Sequence, residues 1–335
     1  MKIYLAPMEG ITTYIYRNAY HKYYGGIDTY YTPFVANRRL KSRELRDVLP
    51  ENNTALPLVP QILTNKADIF LEISEQLKDM GYNEVNFNLG CPSGTVVAKG
   101  RGAGFLNDPT ELEKFLDIIY DKSTLPISIK TRLGIESLFE WEDLLKIYSK
   151  FPIKEIIIHA RTLSQQYGGT PHIEAFKMAH DMLSCPLCYN GDITDMDTYG
   201  KLLEECPDTT AVMLGRGAIA NPELPVILKH SVFNSGQFRS SSTDNSEKIF
   251  NINIAEWKDN TMDYSKFLSF HDEILTGYRD YMSGEQPVLY KMKELWTFWS
   301  QQLDVDKKTL KKIRKAQNIS AYQSIVRTLH ITSNF

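Results

Sequence analysis

The chain has few cysteines and no long hydrophobic run. Its 335 residues include four cysteines, Cys91, Cys185, Cys188 and Cys206, too few for the disulfide framework of a small secreted domain. No apolar run approaches the roughly 18 residues that a membrane span needs. The first residues are soon interrupted by Pro7 and do not form a signal-peptide pattern. We therefore expect a soluble, cytoplasmic protein without a membrane partner. We also expect it to be a monomer.

Metal and disulfide-redox chemistry also lack support in the sequence. Cys185 and Cys188 form a C-x-x-C pair, but a zinc site would need two more ligands at matching spacing, and the sequence offers none. A redox C-x-x-C opens a helix, whereas residues 186–189 have the pattern of a strand. We expect no metal here.

Charges of the two signs nearly cancel overall but are unevenly distributed. The net charge is −3, which taken alone argues against a nucleic-acid partner. Residues 286–328, however, contain nine basic and three acidic side chains, a local balance of +6. Such a basic segment in an otherwise acidic chain is typical of a surface that binds a polyanion.

Eight short β-rich runs alternate with amphipathic segments. The runs are 3–6, 28–33, 58–63, 84–89, 127–131, 155–159, 187–190 and 211–215. In residues 68–80, Ile69, Ile73 and Leu77 recur at helical spacing. Repeated strand–helix alternation with eight strands predicts an α/β fold, a (β/α)8 TIM barrel.

The remaining length predicts a second, smaller domain. After the barrel, assigned to residues 1–235, residues 236–262 have the composition of a polar linker or extended loop. From 263 to 335 apolar residues recur at helical spacing, for example Phe267, Phe270 and Ile274. We expect a small all-α C-terminal domain, with basic helix faces that contact phosphates.

Polar, charged or glycine residues stand at most of the predicted strand ends. Barrel enzymes carry their chemistry at the carboxyl ends of the strands, and a merely stabilising face would not need such residues. The strand-end residues are Pro7, Met8, Glu9, Gln61, Asn88, Lys130, Arg132, His159, Arg161, Asn190, Gly191, Asp192, Gly215 and Arg216. The sequence therefore predicts an active site at this end of the barrel.

Cys91 follows the fourth predicted strand, in the segment Asn-Phe-Asn-Leu-Gly-Cys-Pro at 86–92, and a glycine-rich loop comes after it. A thiol beside Asn88, just past a strand end and next to a loop, is where a reactive cysteine is usefully held. A lone cysteine is more often structural, since free cysteines are usually buried. The other strand ends and the basic C-terminal segment favour the reactive interpretation.

Six segments together resemble the tRNA-dihydrouridine synthase family. They are APMEG at 6–10, NLGCPS at 88–93, KTRLG at 130–134, HART at 159–162, NGDI at 190–193 and GRGA at 215–218. Each motif is weak alone, but six in family order across nearly the whole chain are specific. The resemblance implies an FMN-binding barrel followed by a helical domain that binds tRNA. It also implies reduction of a tRNA uridine to 5,6-dihydrouridine, with NADPH or NADH as the electron source.

The same resemblance implies roles around the flavin. Reducing the C5–C6 bond of uracil needs a hydride at one carbon and a proton at the other. The hydride would pass from FMN N5 to C6, and Cys91 would donate the proton to C5. Lys130 would face the flavin N1/C2 carbonyl edge, Gln61 its pyrimidine edge, and His159 the flavin or uracil. The backbone of Pro7, Met8 and Glu9 would lie against the ring, and the ribityl phosphate would be held by Asn190, Gly191, Asp192, Gly215 and Arg216.

On the substrate side, the Asn88 amide suits the uracil edge. Arg132 and Arg161 suit an RNA phosphate or base. Tyr167 is placed to stack on a flipped-out uridine, although a tyrosine packed on the rim is an equally good interpretation.

Two other functions are compatible with parts of this pattern. An FMN barrel acting on a free pyrimidine, as in dihydroorotate dehydrogenase-like enzymes, would not need the basic C-terminal surface. A non-catalytic tRNA-binding protein would not need Lys130, Cys91 and the phosphate loops. Reduction of tRNA uridine accounts for both sets of residues.

Overall fold

The computed structural model describes residues 1–234, 263–303 and 305–332. Contacts divide the chain into two units. The first comprises Met1–Asn18 and Ile27–Gly215, and the second comprises Ala19–Gly26 and Arg216–Phe335. The linker predicted at 236–262 lies outside the described residues.

The first unit is built on a single parallel sheet. Within the described residues its strands are β1 (Lys2–Leu5), β2 (Thr29–Tyr31), β3 (Leu58–Val59), β4 (Gln61–Ile62), β5 (Val85–Leu89), β6 (Ile127–Arg132), β7 (Ile156–His159), β8 (Leu187–Asn190) and β9 (Ala211–Leu214). Every strand pair is parallel, in the order β3-β2-β1-β9-β8-β7-β6-β5-β4.

Pro60 divides the third predicted strand into β3 and β4. Proline has no N–H to donate to a neighbouring strand, so the ladder is interrupted there. Its carbonyl still accepts a hydrogen bond from the Asn86 N–H at 2.9 Å. Because β3 and β4 are the two ends of the sheet and are consecutive in the chain, the sheet closes on itself. The predicted (β/α)8 barrel is confirmed, with one strand in two pieces.

Helices follow the strands in sequence. In the first part of the chain they are α1 (Tyr14–Tyr23), α2 (Ser42–Val48), α3 (Ala67–Asp79), α4 (Gly94–Val97), α5 (Pro109–Lys122), α6 (Phe139–Tyr148), α7 (Ile173–Met182) and α8 (Met196–Glu205), with 3-10 turns at Pro50–Asn52 and Gly102–Asn107. α5 shows how local sequence sets a boundary. The Asp108 carboxylate accepts from the Glu111 N–H at 3.1 Å, and Pro109 occupies the first helical position.

Side chains on β5 alternate between the barrel interior and the helix layer. Phe87 packs against Phe70 of α3 and Phe115 of α5, with ring centroids 5.5 and 4.9 Å away. Its neighbours Asn86 and Asn88 point the other way, where Asn86 meets Ser128 of β6. The barrel interior therefore holds polar groups near β5, whereas Tyr4, Ile157 and Met213 belong to its apolar cluster.

The second unit is helical in its described residues. Its helices are α9 (Arg216–Ala220), α10 (Leu224–Asn234), α11 (Tyr264–Tyr281), α12 (Glu285–Trp299), α13 (Lys307–Lys315) and α14 (Ile319–Thr332). Asp263 caps α11 by accepting from the Lys266 N–H. Phe267 of α11 meets Trp299 of α12 edge to face at 5.2 Å, so the predicted apolar stripes form a helical core. No helix among the described residues is long and apolar enough to cross a membrane.

Phe87→Ala tests the layer between β5 and the helices. The side chain is fully buried, so we expect the free energy of unfolding to fall by about 3–5 kcal/mol through lost burial and a residual cavity. Phe139→Ala is the matched control, because Phe139 is 91% exposed and its loss should cost under about 0.5 kcal/mol. Equal shifts in chemical denaturation for the two variants would contradict this packing.

Candidate active site at the carboxyl ends of the strands

Lys130 of β6 is a cation enclosed at the carboxyl end of the barrel. Its Nζ donates to the Asn190 Oδ1 at 2.8 Å, and the Asn190 Nδ2 donates to the Met213 carbonyl at 2.8 Å. Burial, with a smaller contribution from the Arg132 charge, lowers the pKa of Lys130 to about 8. Among the described residues Lys130 has no carboxylate partner within ion-pair distance. Such a cation is well placed to meet an anionic or strongly polar group of a ligand.

Gln61 and Asn88 form a buried amide pair beside Lys130. The Asn88 Nδ2 donates to the Gln61 Oε1 at 2.7 Å, and the register of β5 and β6 sets Asn88 opposite Lys130. Gln61 is fully buried and Asn88 is 6% exposed. Two primary amides with fixed orientation offer donors and acceptors to a heterocyclic edge.

Cys91 is held by its backbone from two directions. Its N–H donates to the Asn88 Oδ1 at 2.9 Å, and its carbonyl accepts from the Ala103 N–H at 3.1 Å. Gly102 has φ of +56°, and a Cβ there would lie 2.9 Å from the Cys91 carbonyl oxygen, so only glycine fits this approach. Burial raises the pKa of the Cys91 thiol, and the Ser93 backbone N–H partly opposes that rise. The thiol is therefore protonated at neutral pH.

Arg132 of β6 joins the Cys91 loop to the loop that carries Tyr167. Its Nε donates to the Gly90 carbonyl at 2.9 Å, and its Nη1 donates to the Gln166 carbonyl at 2.7 Å. The side chain is fully buried, and burial lowers its pKa to about 10. Direct contact of Arg132 with RNA stays a prediction, whereas its contacts to the two loops are present in the structure.

Arg161 is also fully buried, and its donors meet protein acceptors. Its Nε and Nη2 donate to the carbonyls of Gly168 and Gly169 at 2.9 and 2.6 Å. Its guanidinium pairs with both carboxylate oxygens of Asp192, including Nη1 to Oδ1 at 3.1 Å. Arg161 thus ties the end of β7 to the end of β8, and contact with RNA stays a prediction for it too.

Tyr167 lies on the rim with 53% of its surface exposed. Its ring centroid is 6.0 Å from that of His159 and 5.5 Å from the Arg132 guanidinium carbon. The preceding Gln166 has φ of +49°, a left-handed conformation that costs a non-glycine residue energy. The hydrogen bond from Arg132 to the Gln166 carbonyl helps to hold that conformation. The position of Tyr167 on the rim therefore depends on a strained residue that the fold stabilises.

The remaining predicted residues follow β1, β8 and β9. After β1, Pro7 is half-exposed and the Met8 N–H donates to the Thr12 hydroxyl at 2.8 Å. The exposed Glu9 carboxylate pairs with Arg43. A Cβ at Gly191 would overlap the Tyr189 hydroxyl. One at Gly215 would touch the Ala6 Cβ at 3.5 Å and the Met8 sulfur at 3.7 Å. Arg216 begins α9 of the second unit.

Sequence reasoning missed Ala103 and Gln166, which act through their backbones. Neither position has a side-chain signal, because every residue type has a backbone carbonyl and every type but proline has a backbone N–H. The glycine-rich composition at 100–104 was the only indication that the backbone approaches Cys91 there.

Fold and site define an α/β barrel whose buried cations, amides and one thiol converge where barrel proteins carry active sites. The sequence model of the family described as dihydrouridine synthase matches residues 4–318. The chain belongs to this family.

The chain is similar in sequence to named bacterial proteins and similar in fold to a solved structure. A Staphylococcus aureus protein described as "Probable tRNA-dihydrouridine synthase" is 33% identical over 227 residues, covering 65% of this chain and 68% of the relative. "Probable tRNA-dihydrouridine synthase 2" of Bacillus subtilis is 29% identical, covering 65% and 69%. The old yellow enzyme homologue from Zymomonas mobilis has a TM-score of 0.50 at 10% identity, covering 72% of this chain and 90% of that one. That likeness shows the fold alone.

Lys130→Gln tests the cost of the enclosed cation in ligand-free protein. The folded pKa of about 8 lies below the unfolded value of about 10.4, so the unfolded chain binds the proton more tightly. The charge therefore disfavours folding below pH 8, and this penalty fades as pH rises to 10.4. We expect the variant to be more stable than the natural chain at pH 7, with a margin that shrinks from pH 8 to 10.

The control is Lys122→Gln at an exposed position of α5. Urea denaturation across this pH range measures the margins. A constant margin for Lys130→Gln would contradict the assigned environment.

Proposed function

We propose that the protein reduces uridine in tRNA to 5,6-dihydrouridine, using FMN and electrons from NADPH or NADH. The observation that carries this proposal is the position of Cys91, whose backbone N–H donates to the Asn88 Oδ1 at 2.9 Å, with Asn88 opposite half-buried Lys130 in the sheet. Family membership supports an oxidoreductase, and the name of the bacterial relatives supports tRNA as the substrate.

The residues at the strand ends fit a flavin mononucleotide. Lys130 offers an enclosed positive charge without a carboxylate partner among the described residues, which suits the N1/C2 carbonyl edge. The Gln61 amide suits the pyrimidine edge, and His159 lies at the end of β7. We assign the phosphate to Asn190, Gly191, Asp192, Gly215 and Arg216, which lie at or just after the ends of β8 and β9. The backbone of Pro7, Met8 and Glu9 completes the proposed set.

FMN held by these residues and reduced by NADPH or NADH would supply the hydride for C6 of uracil. Cys91 holds the second hydrogen on its sulfur and donates it as a proton to C5. The raised pKa of Cys91 keeps that proton in place at neutral pH. The Asn88 amide, which fixes the Cys91 N–H, is also the group we assign to the uracil edge. Water then returns a proton to the thiolate.

Tyr167 is the proposed platform for the flipped-out base. An exposed ring on the rim, held next to His159, can stack on a pyrimidine. Arg132 and Arg161 belong to the substrate side of this proposal, since they hold the Gln166, Gly168 and Gly169 carbonyls around Tyr167.

α13 is the proposed contact to the tRNA backbone. Asp306 caps the helix, and Ile313 anchors it in the core of the second unit. Its six basic side chains are all exposed: Lys307, Lys308, Lys311, Lys312, Arg314 and Lys315. Each phosphate that such a side chain neutralises releases counterions, which makes binding both tighter and salt-dependent.

Cys91→Ala tests the proton donor. The purified protein should be yellow and release FMN, and the variant should keep the flavin and its reduction by NADPH but lose at least about 100-fold in dihydrouridine formation. In the natural chain, product formation should fall as pH rises through the raised pKa of Cys91, because the acid form disappears. Mass spectrometry of treated tRNA measures the product.

Cys206→Ala, at a buried position outside the strand-end cluster, is the matched control and should keep its activity. A colourless protein without flavin affinity would overturn the proposed function. Undiminished product from Cys91→Ala would remove only the acid role.

A triple substitution of Lys308, Lys312 and Lys315 to Gln tests α13. We expect weaker tRNA binding and a log K against log salt slope shallower by about one unit for each lost phosphate contact. The same change at exposed Lys114, Lys146 and Lys150 of the first unit controls for net charge. Filter binding at several salt concentrations gives the slopes, and identical slopes for both triple variants would exclude α13 as the contact.

A further inference from the structure

A line of hydrogen bonds runs through the barrel interior from the Cys91 loop to the opposite end of β5. We call it the amide relay. Its side chains are Asn88, Gln61, Asn86, Ser128 and Glu84, in that order. Glu84 directly precedes β5, whereas Cys91 lies two residues beyond it. At about 3.3 Å per residue, the relay spans roughly 13 Å between Asn88 and Glu84.

Every bond in the amide relay points the same way. The N–H groups of Gly90 and Cys91 donate to the Asn88 Oδ1 at 3.0 and 2.9 Å. The Asn88 Nδ2 donates to the Gln61 Oε1 at 2.7 Å, and the Gln61 Nε2 donates to the Asn86 Oδ1 at 2.8 Å. Continuing from Asn86, its Nδ2 donates to the Ser128 Oγ at 3.0 Å, and that hydroxyl donates to the Glu84 Oε1 at 2.8 Å.

Both ends impose this direction. Backbone N–H groups can only donate, so the Asn88 oxygen must face them. An ionised carboxylate can only accept, so the Ser128 hydroxyl must point at Glu84. The second oxygen of Glu84 accepts from Lys154, which leaves one carboxylate oxygen for each donor.

Burial makes the arrangement hard to replace. Gln61, Asn86 and Ser128 are fully buried, so an amide that lost its partner would have no water to replace it. The strand register brings Gln61 opposite Asn86 and Asn86 opposite Ser128. Hydrogen bonds aligned in series polarise one another, and a charged acceptor at one end strengthens the line as a whole.

We propose that Glu84 is a positioning residue for Cys91, acting through the amide relay. Its carboxylate orients Ser128 and Asn86, these orient Gln61 and Asn88, and the Asn88 oxygen holds the N–H groups on either side of the Gly90–Cys91 peptide. The importance of Cys91 rests on the proposed function, but the relay itself does not. Glu84 lies at the far end of the strands from the reacting thiol and touches no proposed ligand.

Glu155 provides a contrast within the same region of the barrel. It directly precedes β7 as Glu84 precedes β5, and its Oε1 accepts from the Tyr4 hydroxyl at 2.9 Å. It takes no part in the amide relay. If a carboxylate before a strand mattered only for general stability, the two glutamates would be equivalent toward Cys91.

Hydrogen–deuterium exchange of the Gly90 and Cys91 amides in the purified full-length chain tests the proposal. Glu84→Gln leaves one acceptor oxygen for two donors, and Ser128→Ala removes the acceptor of the Asn86 amide. We expect both variants to exchange these two amides about fivefold faster or more, as expected when part of one hydrogen bond is lost. Glu155→Gln should change that rate less than about twofold.

Alkylation of Cys91 by iodoacetamide, followed by mass spectrometry over a range of pH, provides a second measurement. A loosened Cys91 loop should raise the alkylation rate in Glu84→Gln and Ser128→Ala but not in Glu155→Gln. Natural exchange and alkylation rates in folded Glu84→Gln would overturn the proposal, as would equal effects in Glu155→Gln. If Cys91→Ala still abolished the product, the proposed function would stand without the relay. If one relay variant failed to fold, the other would decide.

Discussion

Polar groups enclosed in the barrel must find partners inside it, and the rest of the site depends on this constraint. Inward-facing positions on β5 and β6 carry amides, a hydroxyl and a lysine where most barrels carry branched aliphatic residues. An unpaired amide there would cost about 1–3 kcal/mol, so the side chains are locked into one hydrogen-bonded arrangement. Rigidity at the carboxyl ends of the strands follows from that pairing, since the groups have no alternative partners.

The site also concentrates positive charge where burial opposes it. Lys130 and Arg132 both have pKa values lowered mainly by burial, with smaller contributions from the charge of Arg132 on Lys130 and of Arg161 on Arg132. Hydrogen bonds offset part of the cost of burying these charges: Lys130 donates to Asn190, and Arg132 donates to the Gly90 and Gln166 carbonyls. The buried Arg161 is offset in the same way by its ion pair with Asp192. The buried charges lower the stability of this end of the barrel, as is typical of a binding site prepared for a polar ligand.

Backbone contacts join the two loops that our proposal assigns to chemistry. Arg132 holds the carbonyl before Cys91 and the carbonyl before Tyr167, so the proposed proton donor and the proposed base platform share one anchor. The strained Gln166 and the close approach of Gly102 belong to the same arrangement. A flexible loop would reach these positions only at an entropic cost, which the fixed carbonyls reduce.

The sequence by itself determined the α/β class, the alternation of strands and helices along the chain and the residue types at most strand ends, because periodicity and residue type are local properties. It also indicated the helical segment after Asp263 and the basic character of α13. Tertiary structure alone decided that Pro60 splits a strand, that Arg132 and Arg161 turn inward, and that Glu84 connects to Cys91 through four other side chains. Those outcomes depend on strand register and loop closure, which bring together residues up to 44 positions apart. No local pattern encodes which buried amide will face which acceptor, since that choice is made only when the barrel closes.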